Sequence, residues 1–370
     1  MSKSNPPSGN RSRSLFSSHA ALFMLGKAKG ASKSHKKEGE RMNNCIQDCI
    51  SCIELGTPQT FRAGGITVIP ILMENNGGID YLTLHQALEM DFISIAEVSE
   101  TGDVNKLTVT NRGDKPVLIL DGEQLVGARQ DRVTNTTILV ESHSKTIIDV
   151  SCTEHNRWYY TAGGYGFTDS DFMMSHEIKK KKTSSVSESL HHDRGFRSDQ
   201  QEIWNDISSM NQRSDSYSPT GAMKDSFETH RITLDEYVAT FPLVSKQHGL
   251  VVLINGRVEG LEMVSQEAAY GFFHEKIIRS YAIDALQEAD HGIKPPLSTA
   301  RKFVKKIMHC NEEKFDSVGI GKDFRFKSQY IIGSALVVDE NPVWLAFHSM
   351  DGVKQQYRGR GAAEQVHRVI

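Results

Sequence analysis

The sequence predicts an α+β fold that is mostly antiparallel sheet, with hairpins in both halves and a long amphipathic helix in the second half. Three features indicate this class. Apolar, β-branched runs follow one another between Ile66 and Tyr160 without a regular alternation with helices. Two later apolar runs flank Asn255-Gly256, which is the strongest short signal for a hairpin. Between Gln266 and Leu286, apolar side chains recur at helical spacing.

Composition divides the chain into five predicted stretches. They are a basic, disordered leader (1–56), a β-rich first half (57–162), a polar linker or insertion (163–198), an α+β second half that packs on the first (199–350) and a tail (351–370).

The leader is strongly basic. Residues 1–41 contain nine Lys and Arg and two Glu, a net charge of +7, so the rest carries -10 of the total of -3. This Ser-rich, basic composition is typical of an organelle transit peptide. We favour a simpler interpretation, a disordered leader or residues upstream of a start at Met42. The predicted location is intracellular and cytoplasmic, with organelle import as the alternative, and the odd number of cysteines, five, fits a reducing compartment.

In the first half, Thr83 is the predicted N-cap of a short helix in LTLHQALEMDF. The predicted strands of this half are ITVIPIL, FISIAEVS, KLTVT, PVLIL and KTIIDVSC.

In residues 163–198 apolar side chains do not recur at a regular spacing. The run Lys179–Lys182 is therefore interpreted as part of a solvated linker, with a nuclear signal as the alternative. His191 and His192 are assigned to the same linker. The second half then predicts helices in QQEIWNDISSM, LDEYVATF and STARKFVKKIM, and strands in YIIGSALVVDENPVWLAF.

Several function classes lose support. No apolar run reaches the roughly 18 residues of a membrane span. A mildly acidic body is not the charge balance of a nucleic-acid-binding protein. The chain also lacks a G-x-S-x-G elbow, a P-loop and a dinucleotide glycine fingerprint.

Cys45, Cys49 and Cys52 follow a C-x3-C-x2-C spacing. Three such thiolates suit three irons of a four-iron cluster, with the fourth iron open to S-adenosylmethionine. The strand–helix repeats of such enzymes are absent, so the cysteines are interpreted as part of an amphipathic leader. We predict no metal site and assign no cofactor.

The polar segment after the apolar run at Ile119 is the first candidate site. In an extended chain Gln130 and Arg132 point to one face, and an amide beside a planar guanidinium suits carboxylate or phosphate oxygens. Glu123 follows the Asp-Gly turn directly and is a candidate base or a ligand for a ribose diol or a metal.

A second polar segment, CTEHNRWYY, also leaves an apolar strand. Glu154, Arg157 and Trp158 suit a planar base and its phosphate, and the ordinary alternative is a hairpin end with a Glu–Arg ion pair. Because both segments leave buried strands of the same half, we expect them to share one site. RSDQQEIW is explained by helix capping, and YSPTGAM by a turn.

Residues 66–348 resemble the ADP-ribosylglycohydrolase- and rhodanese-phosphatase-associated protein domain family. The most specific block is DGEQLVGARQDRVTNT, and FRSDQQEIWNDI, SPTGAM, GRVEGLEM, KIIRSYAIDAL and ALVVDENPVWLAF resemble later blocks. The family has no assigned activity. Its label implies an association with ADP-ribose-processing and phosphatase-like proteins, which favours an ADP-ribose-like ligand by analogy only.

The sequence therefore gives two hypotheses, and it leaves open whether the protein is an enzyme. In the first, the protein binds or hydrolyses a phosphorylated nucleotide derivative. The predicted catalytic residues are Glu123 and Glu154, and the predicted ligand-binding residues are Arg129, Gln130, Arg132, Asn135, Arg157 and Trp158. In the second, the protein is a non-catalytic oligomeric or partner-binding module. Homo-oligomerisation is compatible with both.

Overall fold

The computed structural model describes residues 42–61, 65–74, 78–160, 164, 166–289 and 291–350. Its helices are α1 (Asn44–Ser51), α2 (Leu84–Glu89), α3 (His176–His191), α4 (Gln200–Arg213), α5 (Met223–Thr229), α6 (Arg231–Thr240), α7 (Glu267–Ala285) and α8 (Leu297–Ile307). Its first strands are β1 (Glu54–Leu55), β2 (Gln59–Thr60), β3 (Ile66–Leu72), β4 (Leu82–Thr83), β5 (Ile93–Glu97), β6 (Lys106–Asn111), β7 (Val117–Ile119), β8 (Glu123–Gly127) and β9 (Arg132–Thr134). The remaining strands are β10 (Ile138–Val140), β11 (Ser144–Cys152), β12 (Gly166–Met173), β13 (Gln247–Ile254), β14 (Arg257–Val264), β15 (Asn311–Asp316), β16 (Lys322–Lys327), β17 (Ile331–Val338) and β18 (Asn341–Ser349).

These strands form two large assemblies and a small sheet. A nine-stranded antiparallel sheet has the order β1-β3-β13-β14-β18-β17-β16-β15, and β2 also pairs with β3. Six strands close a barrel in the order β11-β6-β5-β12-β8-β9, while β10, β7 and β4 form the small sheet. The predicted α+β class with mostly antiparallel sheet is confirmed.

The large sheet is buried on both faces. Along β13, Leu250 and Val252 pack into the hydrophobic core that includes α7, whereas Val251 and Leu253 pack into a second core with α1 and α8. A third core fills the barrel, where Ile95, Leu107 and Leu125 are completely or almost completely buried. Strand β3 belongs to the first half of the sequence and pairs with β13 of the second, so the two halves share one sheet.

Two predicted hairpins are present. Strands β13 and β14 turn at Asn255 and Gly256, whose φ angles of 49° and 78° fit a tight turn in the left-handed region. Strands β17 and β18 turn at Asp339 and Glu340, which also have positive φ. The similar segment around Asp121 is not a hairpin, because β7 joins the small sheet and β8 joins the barrel.

The prediction of a polar linker over residues 163–198 is wrong for the residues that form β12 and α3. Residues 166–173 form β12 of the barrel, and α3 packs its lysine-rich face inward, with Lys179 and Lys182 buried. Their ammonium groups are neutralised by Glu262 and Asp121, which explains how a charged segment forms an ordered helix. His191 and His192 are exposed, as expected.

The described end of the leader is also ordered. α1 begins after Asn43, whose side chain accepts a hydrogen bond from the backbone of Cys45, and it buries Ile46 and Ile50. The predicted disorder is therefore wrong for residues 42–56. Residues 1–41 and the tail 351–370 lie outside the described residues.

Candidate binding site at the barrel mouth

One end of the barrel gathers polar residues from three strands. β5 ends at Glu97, β9 begins at Arg132, and β11 ends at Cys152, which is the pairing partner of Arg132. Together with Arg129, Trp158 and Tyr160, these side chains form what we call the barrel mouth.

Arg132 is the most unusual group at the barrel mouth. Its side chain is completely buried, yet Nε and Nη2 have no hydrogen-bond partner among the described residues. Nη1 donates to the Asp131 carbonyl at 3.4 Å, and Nη2 lies 3.9 Å from Glu97 Oε1. Burial lowers the pKa of Arg132 from its ordinary value, and nearby Cys152 and Glu97 act in the opposite direction.

Glu97 is not among the site residues predicted from the sequence. Both of its carboxylate oxygens are buried and have no hydrogen-bond partner among the described residues. A signal was present in the strand alternation, because Ile93 and Ile95 point into the barrel and Glu97 continues the same face. A carboxylate on an inward-facing position is the kind of exception that marks a functional site.

The aromatic rings of Trp158 and Tyr160 form a layer against the guanidinium groups of Arg129 and Arg132. The guanidinium carbon of Arg132 lies 5.6 Å from the Trp158 ring centroid, and that of Arg129 lies 5.5 Å from Trp158 and 4.5 Å from Tyr160. Beside this layer is an open cleft of about 620 Å³. Its lining residues are Ala96, Glu97, Ser99, Glu100, Arg129 and Tyr160.

The loop between β5 and β6 passes closely over the barrel mouth at Gly102. A Cβ atom at this position would lie 3.2 Å from both Arg129 Cδ and Trp158 Cζ2, and 3.3 Å from Glu97 Oε2. The φ angle of +76° also favours glycine. Gly102 therefore allows the loop to cover the aromatic layer.

The second polar segment forms an internal ion-pair network instead. Arg157 donates from Nε to Glu154 Oε2 at 2.7 Å, from Nη1 to the Ala128 carbonyl at 2.8 Å and from Nη2 to Asp131 Oδ1 at 3.0 Å. All three nitrogens are used, so Arg157 matches the ordinary Glu–Arg alternative.

Glu154 is equally well satisfied. Its Oε1 accepts from the Thr220 hydroxyl at 2.8 Å, which joins it to the YSPTGAM turn. Although burial acts to raise it, hydrogen bonds from Arg157 and Thr220 lower the pKa of Glu154.

Two side-chain amides predicted to bind the ligand already have hydrogen-bond partners within the protein. Gln130 donates to the Glu154 carbonyl at 2.8 Å and accepts from the Cys152 thiol at 3.1 Å. Asn135 donates to the Phe196 carbonyl at 2.9 Å and accepts from the Ser151 hydroxyl. These contacts give both amides a role in holding strands and loops together.

Glu123 belongs to a different network. It is completely buried, accepts from the Leu120 backbone at 3.0 Å and lies 3.1 Å from Lys276 Nζ. Lys276 also lies 3.4 Å from Asp169. Although burial acts to lower it, these two carboxylates raise the pKa of Lys276. Of the predicted residues, the structure thus brings Arg129, Arg132 and Trp158 together.

The fold and this site define an α+β protein with a closed six-stranded barrel whose mouth holds a buried guanidinium and a buried carboxylate, 3.9 Å apart and with most of their polar atoms lacking a hydrogen bond among the described residues. The model of the ARG and Rhodanese-Phosphatase-superfamily-associated Protein domain family matches residues 52–348, and the chain belongs to that family. The match begins at residue 52, before the Ile66 boundary of the resemblance. No curated protein and no solved structure matches the chain. None of the described helices has the length and apolar character needed to cross a membrane.

Proposed function

We propose that the barrel mouth binds a phosphorylated nucleotide derivative, such as an ADP-ribose-like molecule. The observation that carries this proposal is the completely buried guanidinium of Arg132, whose Nε and Nη2 have no hydrogen-bond partner among the described residues, the nearest carboxylate oxygen to Nη2 being that of Glu97 at 3.9 Å. Burying a charged donor without an acceptor is unfavourable. Phosphate oxygens of a ligand supply the planar, charged acceptors that a guanidinium binds best.

The neighbouring groups extend the proposal to the rest of the ligand. The carboxylate oxygens of Glu97 accept no hydrogen bond from the described residues, and the hydroxyls of a ribose supply donors for them. Trp158 and Tyr160 offer ring faces for a base. The cleft beside Arg129 gives the ligand a route to Glu97, and binding to Arg132 requires Trp158, which is 40% exposed, to change its position.

If the bound molecule is hydrolysed, the geometry favours Glu97 as the acid or base over Glu123 and Glu154. Glu123 is held by Lys276, and Glu154 by Arg157 and Thr220, whereas neither oxygen of Glu97 accepts a hydrogen bond from the described residues. In that case Glu97→Gln retains binding and loses turnover. Equal turnover in this variant contradicts the assignment.

Thermal-shift measurements and calorimetry with ADP-ribose, ADP and ribose 5-phosphate test the binding proposal. We expect ADP-ribose to raise Tm, Arg132→Lys to abolish the shift and Trp158→Ala to weaken binding about tenfold, since a stacked ring contributes about 1–3 kcal/mol. Arg213→Ala, at an arginine 44% exposed on α4, is the control and should bind normally. The absence of any shift with all three compounds rejects the proposal. Mass spectrometry of the purified protein offers an independent search for a bound small molecule.

The alternative function is a non-catalytic oligomeric or partner-binding module. Three predicted site residues favour it, because catalytic candidate Glu123 and ligand-binding candidates Arg157 and Asn135 have partners within the protein instead. A defined oligomer in light scattering, unchanged by every phosphorylated compound, supports the module.

A further inference from the structure

Three thiols lie along one side of α1, where Cys45 and Cys49 are partly buried against the core and Cys52 is exposed. Cys45, Cys49 and Cys52 lie at i, i+4 and i+7, and Cys52 is the C-cap with helical dihedral angles. Ile46 and Ile50 occupy the buried face. The family match begins at residue 52, so Cys45 and Cys49 lie outside the matched residues and Cys52 is the first of them.

The three thiols line one cavity of about 230 Å³. Sulfur and nitrogen ligands from other elements line the same space, namely Met73, His248 and Met263. Thiols, thioethers and imidazole are the donors that soft and borderline metal ions select.

His248 gives an independent indication of a ligand. Its side chain lies on β13, is 2% exposed, and its Nδ1 lies 3.3 Å from the Val264 carbonyl. Because a carbonyl only accepts, Nδ1 carries the proton and Nε2 carries the lone pair. Nε2 has no partner among the described residues. An imidazole held by a backbone carbonyl through one nitrogen is oriented as in most metal-binding histidines.

We propose that this cavity binds a thiophilic divalent metal ion, of which Zn²⁺ is the representative, through Cys49 Sγ, Cys52 Sγ and His248 Nε2. The C-x2-C spacing and the N/S donor set are those of protein zinc sites. The site is independent of the barrel mouth and of the function proposed for it.

Cys45 is left outside the ligand set for two reasons. Its thiol donates to Asn43 Oδ1 at 2.8 Å. Seven residues of helix also separate it from Cys52 by about 10.5 Å, too far for both to reach one ion at a Zn–S distance of about 2.3 Å.

Binding requires a local rearrangement and the loss of two protons. Within the described ranges, no three His, Cys, Asp or Glu side chains already surround a point that holds a metal. The thiols must therefore rotate, which exposed Cys52 at the helix end permits. The ion replaces one proton on each thiol while His248 binds in its neutral form, so two protons leave for each Zn²⁺ bound.

The release of protons makes metal binding depend on pH. Because two protons leave for each ion bound, the apparent affinity should rise as the pH rises.

The test is a titration of the reduced, metal-free full chain with Co²⁺ as a spectroscopic probe for Zn²⁺. We expect one equivalent to bind with a thiolate-to-cobalt charge-transfer band, Zn²⁺ to abolish that band, and Cys49→Ser or His248→Gln to weaken binding at least tenfold. Cys310→Ser removes a buried thiol that does not line the cavity and should bind as the wild type does. A missing band, or full affinity in Cys49→Ser, overturns the proposal.

A second measurement needs no variant and so does not depend on whether His248→Gln folds. Alkylation of the native protein, located by mass spectrometry, should slow at least tenfold at Cys49 and Cys52 when Zn²⁺ is present. Equal alkylation rates with and without Zn²⁺ reject the site, and protection of Cys45 in place of Cys52 rejects the ligand assignment.

Discussion

The carboxylate of Glu262 lies 2.6 Å from the ammonium group of Lys179, and the two side chains are 1% and 0% exposed. The hydroxyl of Tyr281 donates to the same carboxylate at 3.0 Å. This buried cluster connects α3, β14 and α7, and it converts a run of lysines that appears solvated in the sequence into a structural element.

Lys179→Met should therefore destabilise the protein strongly. The substitution leaves the Glu262 carboxylate buried without its counter-ion, a loss of about 3–5 kcal/mol. Urea unfolding measures this as a lower midpoint with an unchanged m-value. The double variant Lys179→Met/Glu262→Leu removes both charges and should recover much of the loss. Lys181→Met is the control, since Lys181 is 27% exposed and should cost about 1 kcal/mol or less. Equal losses in the two single variants contradict the burial argument.

Gly102→Ala should destabilise the protein, because the loop passes closely over the barrel mouth at this residue. Positive φ disfavours alanine, and the added Cβ would lie 3.2 Å from Arg129 and Trp158. We expect a loss of about 1–3 kcal/mol and a change in Trp158 fluorescence. Gly292→Ala measures the cost of positive φ without crowding, because Gly292 has a φ of +62° and a Cβ added there would have nothing within 4 Å. If both variants lose the same stability, crowding at the barrel mouth contributes nothing.

Asp284 predicts a loss of stability as the pH rises. It accepts from the Glu177 backbone at 2.7 Å, and burial, with Glu177 nearby, raises its pKa to about 7. An acid whose folded pKa exceeds its unfolded value of about 4 stabilises the fold fully below pH 4, and this contribution is lost as the pH rises to about 7.

Asp284→Asn removes this titration and keeps an acceptor for the Glu177 backbone. The variant should be more stable than the wild type at pH 8, on the order of 2–4 kcal/mol, with little difference at pH 4. Asp80→Asn, at an acid 70% exposed in an ion pair with Lys115, should show no such pH dependence. Chemical unfolding at several pH values measures the difference, and a constant difference between pH 4 and pH 8 excludes Asp284 as its source.

Local sequence signals predicted those elements whose structure depends on neighbouring residues. Asn255-Gly256 requires positive φ at a two-residue turn, and the spacing of Tyr270, Phe273 and Ile277 places three apolar side chains on one helical face. Both predictions are confirmed. The closed barrel and the sharing of one sheet by β3 and β13 depend on pairings between distant strands, which no local pattern specifies.

The candidate site also has features that neighbouring residues predict and features that depend on distant contacts. The chain order placed Arg129, Arg132 and Trp158 near one another, because they flank the paired ends of β9 and β11. It did not reveal that Arg157 is fully hydrogen-bonded by Glu154 and Asp131, since those partners become known only with the folded backbone. Helix α3 was not predicted because lysines interrupt the apolar residues Ile178, Val186 and Leu190 on its buried face, which weakens the hydrophobic periodicity.

The buried histidines predict the opposite pH response to that of Asp284. The rings of His176 and His348 lie 5.1 Å apart, and neither nitrogen of His348 has a partner among the described residues. Burial lowers the pKa of both well below the ordinary value, and the ammonium groups of Lys179 and Lys180 act in the same direction.

A base with a lowered folded pKa stabilises the fold above its unfolded pKa of about 6.5, and this contribution is lost as the pH falls below that value. His348→Leu should therefore reduce the slope of unfolding free energy between pH 6 and pH 5 by up to about 1.4 kcal/mol per pH unit, the value for one proton. His191→Gln changes a histidine that is 61% exposed and should leave the slope unchanged. Chemical unfolding of both variants over this range measures the slopes, and a His348→Leu slope equal to that of the wild type shows that another group binds the proton.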